Sequence, residues 1–294
     1  MPRPYVTLDV FTDRRFAGNQ LAVVLDGRGL SDADMQAITR EFNYAETTFV
    51  LPPDNPAHTA KVRIFTIGYE MPFAGHPTVG TAIALARARG LAGELKLELK
   101  AGLYPVRVEN DDGRWFAEFL SANLPGEHGP APGASAIERA LSLPAGSIDC
   151  GAHKPRRVGS GVDFFYARAP LSLVRAAKIS PTHMEEISFR GVVGIYLYAE
   201  GGELQGSSHH VRMFAPDAGV AEDPATGSAA AAFPGQLALA GALDDGASEL
   251  NLEQGVELGR PSRLRVRVEA ARGAVTRVAV GGFAVPVTAG EIEA

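Results

Sequence analysis

A histidine and an aspartate open two copies of nearly the same phrase. His76-Pro77-Thr78-Val79-Gly80-Thr81-Ala82 and Asp223-Pro224-Ala225-Thr226-Gly227-Ser228-Ala229 begin 147 positions apart in a chain of 294 residues. Their common frame is a polar residue, Pro, two spacers, Gly, Ser or Thr, and Ala. Imidazole exchanges protons near neutrality, and a carboxylate accepts from ammonium or hydroxyl groups. Two such residues brought to one cleft could manage a proton and hold a polar substrate. Asp followed by Pro also suits a helix N-cap, whereas His caps poorly, so His76 is the more telling of the pair. A strand that turns through Gly and Ser/Thr into a helix leaves backbone N–H groups able to bind an anion. Gly75, Gly80, Gly227 and Ser228, with the hydroxyls of Thr81 and Ser228, are therefore candidates for holding a carboxylate. Structural glycines at such turns are common, but two turns in register are more specific than one.

Glu46 is a further candidate, because it stands immediately before the apolar run Thr47-Thr48-Phe49-Val50-Leu51. A carboxylic acid held beside apolar surface has a raised pKa and can shuttle a proton near neutrality. An exposed glutamate at a strand edge is the plainer explanation of the same residue. His209-His210 suggests no metal site, since adjacent residues on a strand point to opposite faces. The lone Cys150 has no basic neighbour to activate it, excludes an internal disulfide, and leaves no cysteine cluster for a metal. No dinucleotide, phosphate-loop or nucleophile-elbow motif implies an organic cofactor.

The formal charge of −6 argues against a nucleic-acid partner, and the short basic run Lys154 to Arg157 reads as a solvated loop. Residues 224 to 243 carry no charge, but their Ala, Gly and Pro content suggests a buried helix and not a membrane span. The N-terminus enters a strand-like stretch at once, without signal-peptide features, so a cytoplasmic setting is expected.

These residues need elements to position them. Strands are expected at 5–11, 21–25, 47–51, 60–67, 95–100, 103–109 and 114–119. A helix capped by Ser31 ends near Asn43, and another runs from Thr78 to Arg89 and closes at Gly90. The Pro- and Gly-rich stretch 121–135 reads as a linker or long crossing loop. The pattern then recurs, with helices at 136–142 and 181–188, strands at 163–168, 192–199 and 209–214, and a helix after the second motif that Pro234 makes hard to extend beyond Phe233. Further strands are expected at 250–252, 262–270, 276–280 and 283–287. Strands in consecutive runs point to an α+β fold. Two similar halves would each wrap mostly antiparallel strands around a helix that begins at its motif. The expected divisions are 1–122 and 123–275, with 276–294 returning to the first half.

Five stretches together resemble the phenazine biosynthesis PhzF-like isomerases, which share the diaminopimelate epimerase fold. They are Phe11 to Val24, Asn43 to Val50, Met71 to Ala82, Phe214 to Ala229 and Gln254 to Leu264, in that order. The resemblance implies two pseudo-symmetric, barrel-like domains with the active site between them, and a homodimer. It further implies that Glu46 is the general acid/base, that His76, Asp223 and Ser228 bind substrate and handle protons, and that Asn19 keeps its place in the Gly-Asn loop. The implied reaction moves a proton between carbons of a small carboxylic acid, a cyclic amino or hydroxy acid, without metal or organic cofactor. Gln20 stands where the family usually has Pro, and Pro234 is unusual after the second motif. The related two-thiol racemases place cysteines where this chain has His76 and Asp223, so their chemistry is excluded. A non-catalytic carboxylate-binding protein and a different lyase or isomerase on the same scaffold are the competing possibilities, because a fold does not determine a reaction.

Overall fold

The computed structural model describes residues 1–216 and 220–294. The matched stretch from Phe214 to Ala229 therefore includes 217–219, which lie outside the described residues. The chain divides into two compact units, Met1–Leu120 with Gly281–Ala294, and Ser121–Val280.

The first unit contains β1 (Pro2–Val10), β2 (Asn19–Val24), α1 (Asp32–Phe42), β3 (Glu46–Leu51), β4 (Ala60–Thr66), β5 (Glu70–Met71), α2 (Gly75–Arg89), β6 (Gly93–Leu99), β7 (Gly102–Asp111) and β8 (Arg114–Leu120). α1 starts as its residues suggest. Asp34 N–H donates to the Ser31 hydroxyl at 3.2 Å, and Ser31 N–H donates to the Asp34 carboxylate at 2.9 Å. It ends at Asn43 in the left-handed region, which asparagine tolerates better than most residues. β1 pairs antiparallel with β2, β2 parallel with β3, β3 antiparallel with β4, β4 parallel with β6, and β6, β7 and β8 antiparallel in turn. The C-terminal segment of the unit pairs with both β8 and β1, which closes the ring. α2 touches β1, β2, β3, β6, β7 and β8 and is buried from Gly75 through Ala86. A helix packed on all sides needs small residues. A Cβ on Gly80 would meet Leu21 Cδ2 at 2.5 Å and Val10 Cγ2 at 2.7 Å.

The second unit contains β9 (Gly126–Glu127), α3 (Ala134–Ala140), β10 (Arg156–Gly159), β11 (Asp163–Arg168), α4 (Leu171–Ala176), α5 (Pro181–Met184), β12 (Val192–Glu200), β13 (His209–Ala215), β14 (Val220–Asp223), α6 (Gly227–Leu239), β15 (Gly246–Gln254) and β16 (Ser262–Ala271). Strand β17 (Ala274–Glu293) begins here and supplies the closing segment of the first unit. The pairings repeat those of the first unit: β10 antiparallel to β11, β11 parallel to β12, β12 antiparallel to β13, β13 parallel to β15, and β15 antiparallel to β16. The fold is α+β, two similar units with mostly antiparallel strands around a buried helix.

Several elements depart from expectation. α6 runs through Pro234 to Leu239. Phe233 lies 4.9 Å from the Tyr198 ring, 5.0 Å from His209 and 6.0 Å from Tyr166. Burial among these rings offsets the backbone bond that proline removes. The stretch 121–135 is more than a linker, since β9 pairs with β10 and Pro125 packs against Gly235 of α6. Lys154 to Arg157 is not a solvated loop. Arg156 is buried and donates to the carbonyls of Ala152 and Leu239, and Arg157 donates to Asp163 at 2.6 Å. The planar fork of arginine suits it to such multiply bonded places. The expected helix at 181–188 is a single turn, and the two expected C-terminal strands are one. Among the described residues no helix is long and apolar enough to cross a membrane.

Candidate active site

Three polar side chains meet at the helix start of the first unit. Asn19 is the first residue of β2, Glu46 the first of β3 and His76 the second of α2. The parallel register sets Glu46 beside Leu21, two residues along from Asn19. His76 is 4% exposed. Its Nδ1 lies 3.3 Å from Asn19 Nδ2 and its Nε2 3.3 Å from Glu46 Oε2. Burial holds the imidazole down at about 3, against a backbone hydrogen bond with Gln20 that pulls the other way, so the ring is neutral at pH 7. Nδ1 is the ring nitrogen held by the Asn19 side chain, and Nε2 is the one that faces Glu46. The 3.3 Å approach is longer than a charge-assisted hydrogen bond. It is a polar contact and not a hydrogen bond.

His76 is not an N-cap. Ala74 caps α2 without a side-chain bond, and the Thr78 hydroxyl donates to the Ala74 carbonyl. Gly75 opens the helix, with its N–H among those of the first turn. Gly80 and Thr81 lie elsewhere. Gly80 is the place of close approach to Val10 and Leu21, and the Thr81 hydroxyl is 2.8 Å from that of Thr48, both fully buried. Thr48 is two residues after Glu46, so this bond ties β3 to α2 directly beneath the Glu46–His76 pair.

The second motif begins its helix later. Asp223 ends β14, Thr226 caps α6, and Gly227 and Ser228 are its first two residues. The same frame thus puts His76 inside a helix and Asp223 before one. Asp223 Oδ2 accepts from the Thr226 hydroxyl at 2.6 Å. Gln254 clasps the turn: its amide donates to the Asp223 carbonyl at 2.8 Å and to Thr226 Oγ1 at 2.9 Å, and its oxygen accepts from Thr226 N–H at 3.2 Å. Gln254 is fully buried and was not singled out from the sequence, although it opens the last of the five matching stretches. Asp223 and Ser228 are half-buried while Gly227 is buried.

Among the described residues Glu46 has no counterpart in the second unit. The shared phrase Val-Arg-x-Phe aligns Ile64 with Met213, and these pair with Thr48 and Tyr196. Two residues before Tyr196, where Glu46 would fall, stands Gly194. A Cβ there would meet the Phe214 carbonyl oxygen at 2.1 Å.

A family model described as phenazine biosynthesis-like protein matches residues 8–290. The chain belongs to that family. It is 44% identical to an uncharacterised isomerase of Mesorhizobium japonicum over 299 aligned positions, 99% of this chain and 98% of the relative. It is 36% identical to the trans-2,3-dihydro-3-hydroxyanthranilate isomerase of Pseudomonas aeruginosa, with 95% of each chain covered. A PhzF-family crystal structure from Bacillus anthracis superposes with a TM-score of 0.89, 26% identity and full coverage of both chains. A probable proline racemase from Agrobacterium radiobacter, 13% identical with a TM-score of 0.66 and covering 99% and 93%, shares the fold. The protein is an isomerase of this family, built on an epimerase-like scaffold.

Proposed function

We propose that this isomerase moves a proton between two carbons of a small cyclic amino or hydroxy carboxylic acid, with Glu46 as the acid/base and without a cofactor. The observation that carries the reading is the pair of Glu46 with a buried, neutral His76, which is itself held by Asn19. In this role the Glu46 carboxylate takes a proton from one carbon as that C–H bond breaks. The electron pair shifts along the conjugated double bonds, and Glu46 returns the proton to a second carbon. His76 keeps the carboxylate aimed and Asn19 keeps the ring in place. The Gly75 N–H holds a polar substituent of the substrate, while Asp223, Ser228 and the Gly227 N–H form a second polar cluster on their Gln254-clasped turn. The named activity of the Pseudomonas aeruginosa relative supports a ring carrying carboxylate, amino and hydroxyl groups, and the protein is taken to work as a homodimer.

Incubation with trans-2,3-dihydro-3-hydroxyanthranilate and a panel of cyclic acids in D₂O, followed by mass, tests this. A positioned general base contributes about 10²- to 10⁴-fold, so Glu46→Gln should lose at least roughly 10²-fold in deuterium entry while keeping its fold. Full exchange by that variant refutes the role, and no exchange by the wild type with any of these acids refutes the proposed reaction.

A further inference from the structure

The loop that delivers Asn19 to His76 displays a large aromatic side chain to solvent. Phe16 is 73% exposed and has φ of 65°. The left-handed region is costly for a bulky residue, and exposing a phenyl ring forgoes the burial it would gain in the core. Both costs fall on one residue, three positions before Asn19.

The loop is not loose. Phe16 N–H donates to Asp9 Oδ2 at 2.6 Å, and Asp9 is 3% exposed on β1. Thr12 N–H donates to the Phe283 carbonyl at 3.1 Å, and Arg14 N–H to the Thr12 hydroxyl at 3.2 Å. Arg15 Nε donates to the Pro286 carbonyl at 2.8 Å. Gly18 turns the chain at φ of 65° with its Cα close against β1, where a Cβ would meet the Val10 carbonyl oxygen at 2.3 Å. A buried carboxylate and these anchors thus hold the backbone of a strained, solvent-facing aromatic residue in place. Such strain persists where surrounding structure over-determines it, and clusters at ligand clamps. A rigid aromatic displayed this way offers contact area at little entropic cost.

We propose that Phe16 is a specificity-determining residue that packs its ring against the planar ring of a cyclic carboxylate held at the Glu46–His76–Asn19 site. The inference rests on the function proposed above and names the side chain that reads the ring of that substrate. Offset or edge-on contact between two flat rings favours unsaturated six-membered rings over acyclic acids.

The test uses Phe16→Gly, which accepts a positive φ without strain, and Phe16→Tyr, which keeps the ring. Dissociation constants are measured on the Glu46→Gln background, so that ligand is not consumed. The probes are trans-2,3-dihydro-3-hydroxyanthranilate and benzoate, which have rings, and propionate, which has none. Phe16→Gly should weaken the ring probes about tenfold, leave propionate unchanged and keep the melting temperature. Phe16→Tyr should bind the ring probes as the parent does. Equal weakening of all three probes, or of none, overturns the proposal. So does a loss of dimer mass in Phe16→Gly with unchanged ring binding, which would assign Phe16 to contact between copies of the chain. Failure of the parent to bind either ring probe overturns it as well. Turnover by Glu46→Gln would instead defeat the proposed function, and is read separately from the binding data.

Discussion

Lowering the pH should destabilise this protein through His76, and by a calculable amount. Its imidazole has a pKa of about 3 in the fold because it is buried, against 6.5 for the unfolded side chain. The folded state therefore binds fewer protons than the unfolded state wherever the pH lies between those values. Stability is complete with respect to this group above 6.5 and is lost as the pH falls toward 3. One proton is worth about 1.4 kcal/mol per pH unit, so moving from neutral pH to pH 4.5 should cost roughly 2.7 kcal/mol from this side chain alone. That is a large part of a typical stability of about 5–15 kcal/mol. Urea unfolding from pH 7 to 4.5, on the wild type and on His76→Gln, isolates the effect as the difference between the two curves. The difference should shrink as the pH falls, with a slope near one proton below pH 6. A flat difference refutes the burial argument. A difference that grows on acidification would show that the ring is charged in the fold and forms an ion pair with Glu46, which would also undo the neutral-histidine mechanism.

Other perturbations follow from the same geometry. Gly80→Ala should cost about 1–3 kcal/mol by overpacking, because its Cβ would overlap Leu21 and Val10; equal urea midpoints for variant and wild type would contradict this. Gln254→Ala removes the amide that joins Asp223 to Thr226. It should lower substrate affinity more than it changes the melting temperature if the turn is part of the site, and calorimetry compares the two effects. His210 lies between Glu253 at 2.6 Å and Glu257 at 3.1 Å. Burial would lower its pKa, but donation to the two carboxylates and their charge outweigh it and raise the group to about 9. Its contribution should be fully present below pH 6.5 and lost as the pH rises through 9, up to roughly 3 kcal/mol. His210→Gln should flatten the alkaline limb of the stability profile; an unchanged limb would show that the three side chains do not share a proton in this way.

Much of the site could be read from residue types alone. The repeated frame announced two related units, and the strand pairings repeat in the same parallel and antiparallel order. The Ser31–Asp34 capping box and the Gly90 stop were legible because caps depend on one turn of local chain. Where the two helices begin was not legible. Identical spacing sets His76 within α2 and Asp223 outside α6, since the first turn of each helix is settled by what packs around it. Pro234 misled for the same reason, because its local cost is exceeded by the aromatic burial around Phe233. Arg156 and Arg157 looked like surface charge because the Leu239 carbonyl that receives Arg156 is 83 residues away, and Asp163 meets Arg157 only once β11 turns back on β10.

By itself the sequence determined the chemistry available: one histidine and one aspartate at matched places, no thiols there, and a glutamate ahead of an apolar strand. It also set the order of elements, through hydrophobic period and punctuation by Gly and Pro. Only the tertiary structure decided which of those groups lie together. Asn19, Glu46 and His76 are separated by dozens of residues and meet because β2 and β3 lie parallel beside α2. Gly80 and Thr81, equally plausible in the motif, are used for packing. The neutral state of His76 is likewise a property of its burial, which no local pattern encodes. The single copy of Glu46 has the same origin, since close approach of the Phe214 carbonyl leaves room for only glycine at the matching place in the second unit.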